Sequence, residues 1–222
     1  SAPMKDSGVE WLGEVPRHWA CGPISRWFSV TLGKMLDSGK TPPVGAKTTP
    51  YLRAANIRPG WIDLDSVYEM PLLPYEVANL NLLAGDLLVV EGGATVGMNA
   101  MVGADMPGWS FQKTVNRVRA TGGCSTGLVS YYLDAIRDRG VVEMISAAST
   151  FQHLTAEKLG RLPVPVPPAS EQAAIVDYLD HETAELDAAI ADAREAIALS
   201  RERRAALISA AVTGKIDVRG VG

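Results

Sequence analysis

The residues best suited to chemistry are polar donors set in glycine-rich stretches: Lys34, Ser38, Lys40 and Thr41; Arg53, Asn56 and Arg58; Gly93 and Thr95; Gln112 and Lys113; and Thr150, Gln152 and His153. Their types fit nucleic-acid recognition. Arg and Lys bind phosphate and guanine edges, Asn and Gln bond adenine bidentately, and each good base contact discriminates by about 1–3 kcal/mol. Some of these positions must be ordinary turn or surface residues, and Arg53 and Asn56 read equally well as partners in a buried structural hydrogen bond.

Motifs for catalysis are missing. Gly39-Lys40-Thr41 has the ending of a phosphate-binding loop, but five residues separate Gly33 from Gly39 where that loop needs four. Pro42 and Pro43 follow at once, where the loop requires a helix to aim its backbone donors. Gly92-Gly93-Ala94-Thr95-Val96-Gly97 lacks the dinucleotide spacing and reads as a tight loop. His18, His153 and His181 have no ligand spacing, no Gly-x-Ser-x-Gly elbow is present, and no Asn/Asp-Pro-Pro-aromatic methyltransferase signature occurs. The expectation is a chain with no catalytic residues, no metal and no cofactor of its own. An enzyme with an unrecognised site would need a pocket of converging titratable groups that no motif supplies.

The elements that must position these donors follow from composition and periodicity. A chain of 222 residues, 47% apolar and 21% charged, can bury the core of one medium domain plus an appendage. No run approaches the roughly 20 apolar residues of a membrane span, and residues 1–10 lack a signal-peptide core, so a cytoplasmic protein is expected. Ser1-Ala2-Pro3 ahead of Met4 reads as an addition and is set aside from the fold. Cys21 and Cys124, distant and without Cys or His partners, read as buried thiols of a reducing compartment. The net charge of −4 is unevenly spread. From Arg17 to Gly60 seven basic residues face one acid, Asp37, whereas from Glu171 to Arg204 nine acids face four bases. The first segment suits phosphate and the second avoids it.

Up to Leu162, Gly and Pro punctuate short apolar runs, and residues 51–57, 86–91, 100–103 and 114–119 are predicted strands. The continuous apolar run in 86–91 implies a strand buried on both faces. A helix is predicted over 128–145, despite Gly140. The Pro-rich run at 163–169 marks a boundary, after which Ser170 is placed to cap a helix and Glu171 to favour its positive end. No Pro or Gly then occurs before Gly214, so one helix is predicted over 170–213, with a tail at 214–222.

A heptad seam runs through Val176, Leu179, Thr183, Leu186, Ile190, Ala193, Ile197, Ser200, Arg204, Leu207 and Ala211. So long a one-sided helix exceeds what a domain of this size can cover, and a second helix is expected to pack on it. The fold class expected is α+β: a mixed α/β globule over 1–162, then a long C-terminal helix forming an antiparallel coiled coil. No internal repeat is present.

Several stretches resemble the specificity subunit of type I restriction-modification systems. Asp6-Ser7-Gly8-Val9-Glu10-Trp11-Leu12-Gly13-Glu14-Val15-Pro16-Arg17-His18-Trp19 is similar to its opening motif. The Pro-rich run ending in Glu171-Gln172 resembles its entry into a spacer helix, and Leu207-Ile208-Ser209-Ala210-Ala211-Val212-Thr213-Gly214-Lys215-Ile216-Asp217-Val218 its usual ending. Gly85-Asp86-Leu87-Leu88-Val89 and Gly93-Ala94-Thr95-Val96-Gly97 match in style. The resemblance implies a non-catalytic target-recognition domain that reads one half of a bipartite site in double-stranded DNA, with helices as a ruler. Full members carry two domains and two helices, and this chain has one of each. It implies a half-length form that is a homodimer through the helix, with an artificially shortened chain or a truncated gene as the competing explanation. It further implies docking of a methyltransferase subunit using S-adenosylmethionine and a restriction/translocase subunit using ATP, with neither cofactor on this chain. The alternative is an interaction or inhibitory module that keeps the helix and has lost DNA recognition.

Overall fold

The computed structural model describes residues 2–36, 39, 41–146 and 153–216. In chain order the strands are β1 (Met4–Asp6), β2 (Glu14–Pro16), β3 (Ala20–Pro23), β4 (Phe28–Leu32), β5 (Lys47–Leu52), β6 (Ile57–Arg58), β7 (Trp61–Ile62) and β8 (Tyr68–Leu72). Helix α1 (Pro74–Asn79) precedes β9 (Leu87–Val90), β10 (Asn99–Met101), β11 (Ser110–Phe111) and β12 (Val115–Ala120). Then come α2 (Thr126–Asp138), α3 (Val141–Ser146), α4 (Ala156–Arg161), β13 (Pro163–Val166) and α5 (Ala169–Val212). The chain forms two compact units, Ser1–Ala174 and Ile175–Gly222.

The first unit is built on an antiparallel sheet in the order β10-β9-β12-β4. All four residues of β9 are buried, and the strand's alternation divides them between two cores. Leu87 and Val89 face Phe28, Val118, Val129 and Leu133, whereas Leu88 and Val90 face Leu52, Ala100, Phe111 and Val115. This is the arrangement that an uninterrupted apolar run requires. A second sheet, β11-β5-β8, has β11 parallel and β8 antiparallel to β5.

The strand predicted over 51–57 stops at Leu52, because Ala54–Asn56 make a 3-10 turn before β6. The helix predicted over 128–145 is broken at Gly140, whose φ of 74° ends α2 and lets α3 start in a new direction. The Pro-rich 163–169 run, read as a linker, is a strand through Val166 that pairs with β3. Pro163 and Pro165 lack donors, which a two-stranded pairing tolerates, while Val164 and Val166 are buried in the core. Helix α5 begins at Ala169, with the Pro168 carbonyl accepting the N–H groups of Glu171 and Gln172, so Ser170 lies inside the first turn instead of capping it. Both cysteines are half-buried, and burial pushes the Cys21 thiol up.

The opening segment is a β1–β2 hairpin, turned where Gly8 has φ 74° and the Asp6 carboxylate accepts its N–H at 2.8 Å. Its far end clasps the first turn of α5. His18 Nε2 lies 2.7 Å from Glu171 Oε1, and Trp19 Nε1 donates to Glu171 Oε2 at 2.9 Å. Those bonds, Trp19 first, hold the Glu171 carboxyl below its ordinary range. Gln172 is buried, accepting from Ser125 N at 2.7 Å and donating to Pro167 O at 2.8 Å. Two of the stretches that carried the resemblance are therefore partners in space.

From Ile175 onward the second unit is the rest of α5. At about 1.5 Å per residue, the 44-residue helix is roughly 66 Å long. Leu186, Ile190, Ile197 and Leu207 of the seam are exposed. Gly214, with φ 71°, ends the helix, and Lys215 N returns to Ala210 O at 2.8 Å. No described helix is long and apolar enough to cross a membrane.

Candidate nucleic-acid interface

The turn between β11 and β12, residues 111–114, is a hub that gathers loops distant in sequence. Lys34 N donates to Phe111 O at 3.0 Å and Lys113 N to Lys34 O at 2.9 Å, which fixes the segment after β4 against the turn. Gly33 makes this possible, since a Cβ there would lie 2.3 Å from Gln112 O. Gln112 N donates to Leu52 O at 2.8 Å and Ala54 N to Thr114 Oγ1 at 3.0 Å, which brings in the loop of Arg53. Glu91 N donates to Thr114 O at 2.9 Å, Leu154 N to Glu91 O at 2.6 Å, and His153 Nδ1 lies 3.0 Å from Glu91 Oε2. Buried Asn116 donates to Leu154 O at 2.8 Å and secures that last segment. Lys34, Arg53, Gln112, Lys113 and His153, drawn from four of the five sequence groups, thus converge on one junction. Glu91 leads directly into the remaining group.

The Glu91-to-Gly97 stretch is a tight loop without a helix after it, and Gly93 and Thr95 are exposed on it. Gly97, at φ 77°, packs so closely that a Cβ would meet Val142 Cγ1 at 2.8 Å, which pins the loop to α3. Thr41 lines a cleft of about 390 Å³ with Lys34, Met35, Pro42 and Met70. Residues 41–43 are not helical, as the prolines dictate. Ser38, Lys40, Thr150 and Gln152 lie outside the described residues.

Asn56 is not available for base contact. It is 2% exposed, accepts from Arg53 N, and donates to Asp63 O and Ser66 O at 2.9 and 3.0 Å. Its amide shapes the loop that presents Arg53. Arg58 stands on the β6–β7 hairpin, bonded to Asp63 Oδ2 at 3.0 Å, apart from the hub's bonds.

Three further residues shape the junction, and no sequence motif announces them. Tyr68, 53% exposed on β8, lies under the Arg53 guanidinium, 4.3 Å from ring centroid to Cζ. That stacking orients the planar donor fork of this half-buried side chain, whose Nε is buried without a partner among the described residues. Glu76 pairs with Lys34 Nζ and accepts from Leu73 N at 2.9 Å; the Lys34 bond first, then the backbone bond, hold its carboxyl below the ordinary range. Lys34 therefore reaches phosphate only by releasing Glu76. Thr114 supplies the hydroxyl that fixes Ala54.

Two other cationic residues of the globule, Arg117 and Arg119, are tied into its internal bonds. Arg119 bonds both Asp86 oxygens at 2.6 and 2.7 Å, and buried Arg117 donates to Asn81 O at 2.5 Å. Among the described residues no cluster of His, Cys, Asp and Glu could hold a metal.

A family model described as the type I restriction modification DNA specificity domain matches residues 31–194, most of the chain. The chain belongs to that family. The matched span of this specificity domain takes in the whole hub and the first part of α5. Two solved structures share its fold: one from a study of complex assembly and conformational transition of the type I R-M system, and the HsdS subunit from Thermoanaerobacter tengcongensis. The first is 19% identical with a TM-score of 0.63 over 93% of this chain and 48% of the other. The second is 16% identical with a TM-score of 0.54 over 83% and 41%. No curated protein sequence matches the specificity domain. It spans about half the length of these structural relatives. As a DNA specificity domain, the chain is a recognition component and not a catalyst.

Proposed function

We propose that this chain reads one half of a bipartite DNA target through the hub and pairs with a second copy, which reads the other half. The observation that supports the reading is the hub itself: segments carrying donors from four sequence-distant groups, tied by hydrogen bonds to one junction, with Arg53 oriented on Tyr68. Lys113 and Lys34 grip phosphate, Arg53 and Gln112 reach base edges, and the Gly93 loop and His153 border them. Ser38, Lys40, Thr41, Thr150 and Gln152 extend the same face on the sequence reading. A methyltransferase subunit and a restriction/translocase subunit dock on the assembly in the cytoplasm. S-adenosylmethionine and ATP bind those subunits, and this chain binds neither. Paired copies related by a two-fold demand an inverted-repeat target.

Duplex binding by the purified protein, titrated over salt, tests this. Lys113→Ala should weaken binding about equally on all sequences and lower the salt slope by about one. Arg53→Ala should instead relax preference at one base position, a loss of about 1–3 kcal/mol. Equal binding by both variants and the parent at every salt concentration contradicts the reading.

A further inference from the structure

The exposed stripe of the second unit carries a charge pattern that specifies how it is covered. The helix is acidic from Asp177 to Glu195 and basic from Arg201 to Arg204. With Val176, Thr183, Ile190, Ile197 and Arg204 at heptad position a, the flanking e positions are Asp180, Asp187, Arg194 and Arg201, and the charged g positions are Glu182 and Arg203. The described His181–Glu185 ion pair lies off this seam, on the outer side of the helix.

We propose that two copies pair along this helix antiparallel in one register, in which Ile190 packs against Ala193 of the second copy and charge excludes the alternatives. The inference rests on the preceding reading that two copies assemble. Reversing one helix sets a against d, e against e and g against g. In the stated register Asp187 meets Arg194 of the second copy, Asp180 meets its Arg201, and Glu182 meets its Arg203. Each pair occurs twice by symmetry and every one is of opposite sign. In the seam Leu186 meets Ile197, Val176 meets Leu207 and polar Thr183 meets polar Ser200, while Leu179 meets Arg204, whose aliphatic stem can cover it as its charged head reaches water.

The neighbouring registers fail at the two-fold axis. Sliding one heptad in one direction places Arg194 against Arg194 of the second copy, and sliding in the other places Asp187 against its own counterpart. A parallel pair sets Glu182 beside Asp187 and stacks Arg204 on Arg204. Like charges at these positions destabilise a coiled coil, and e and g charges choose orientation and partner.

Cross-linking in a Cys21→Ser, Cys124→Ser background tests register and pairing separately. Ile190→Cys protein mixed with Ala193→Cys protein, after exchange, is expected to form the dominant disulfide-linked dimer. Dominant cross-linking of Ala193→Cys with Ile197→Cys, of Leu186→Cys with Ile190→Cys, or of Ile190→Cys with itself overturns the register while leaving pairing intact. A monomeric mass at every concentration overturns pairing itself. In the parent background, Glu182→Arg should weaken association about tenfold and adding Arg203→Glu should restore it; no restoration overturns the charge code even if the dimer persists.

Discussion

Strand β9 and the exposed stretch of α5 carry similar apolar residues and treat them in opposite ways. Leu87, Leu88, Val89 and Val90 are all fully buried, divided between two cores of the same globule. Leu186, Ile190, Ile197 and Leu207 stand 47–63% exposed on a helix of 44 residues. Apolar burial contributes roughly 25 cal/mol per Å² removed from water, so the globule holds its stability within one chain. The helical stripe gains that term only when another surface covers it. One region covers its apolar residues by itself; the other leaves them exposed, and on the proposed function a second copy covers them.

The largest effect that would break this contrast is a truncation in each region. Leu133→Ala, in the core, should cost about 2–5 kcal/mol of unfolding free energy in denaturant melts, independent of protein concentration. Leu186→Ala should leave the dilute chain nearly unchanged and weaken only self-association in sedimentation runs. Similar losses from both in dilute solution would end the distinction.

Gly33→Ala sharpens it within the globule. A new Cβ 2.3 Å from Gln112 O must push the β11–β12 turn from the strand end, costing about 1–3 kcal/mol and scattering the hub. Duplex binding should fall sharply while self-association in sedimentation runs persists.

A smaller, opposite change is expected from Glu76→Gln. Losing the carboxylate removes the Glu76 ion pair that competes with phosphate for Lys34, so DNA affinity should rise at low salt, with a steeper salt slope in anisotropy titrations. Unchanged affinity would place Lys34 off the DNA.

The clasp between globule and helix start gives the smallest effect, and it depends on pH. The Glu171 carboxyl titrates below its ordinary 4.5 in the folded chain, so its contribution is complete above that value and is lost as pH falls through the lower folded value. Melting temperatures of the parent should therefore drop more steeply in acid than those of Glu171→Gln. Parallel curves through the acid range would show that the clasp adds nothing.

The contrast between regions also explains what the sequence made legible. The β9 run and the uninterrupted stretch after the prolines are local patterns, and both their type and their environment follow from periodicity. The Pro-rich strand was hidden because proline usually argues against a sheet; only its partner β3, some 140 residues away, reveals a two-stranded pairing that needs few donors. Asn56 and Arg53 had indistinguishable chemistry in the sequence. Burial separated them, making one a loop brace and leaving the other stacked on Tyr68. Neither Tyr68 nor Glu76 could be singled out beforehand, since nothing local to either residue reports the cation that a tertiary contact places beside it.

The claim on which the account turns is that the hub reads DNA sequence. Selection of bound duplexes from a random pool by the purified protein at physiological salt tests it most directly. The account predicts enrichment of one bipartite inverted repeat, with degeneracy appearing at one symmetric pair of positions for Arg53→Ala. Recovery of the pool unchanged, by parent and variant alike, would contradict it.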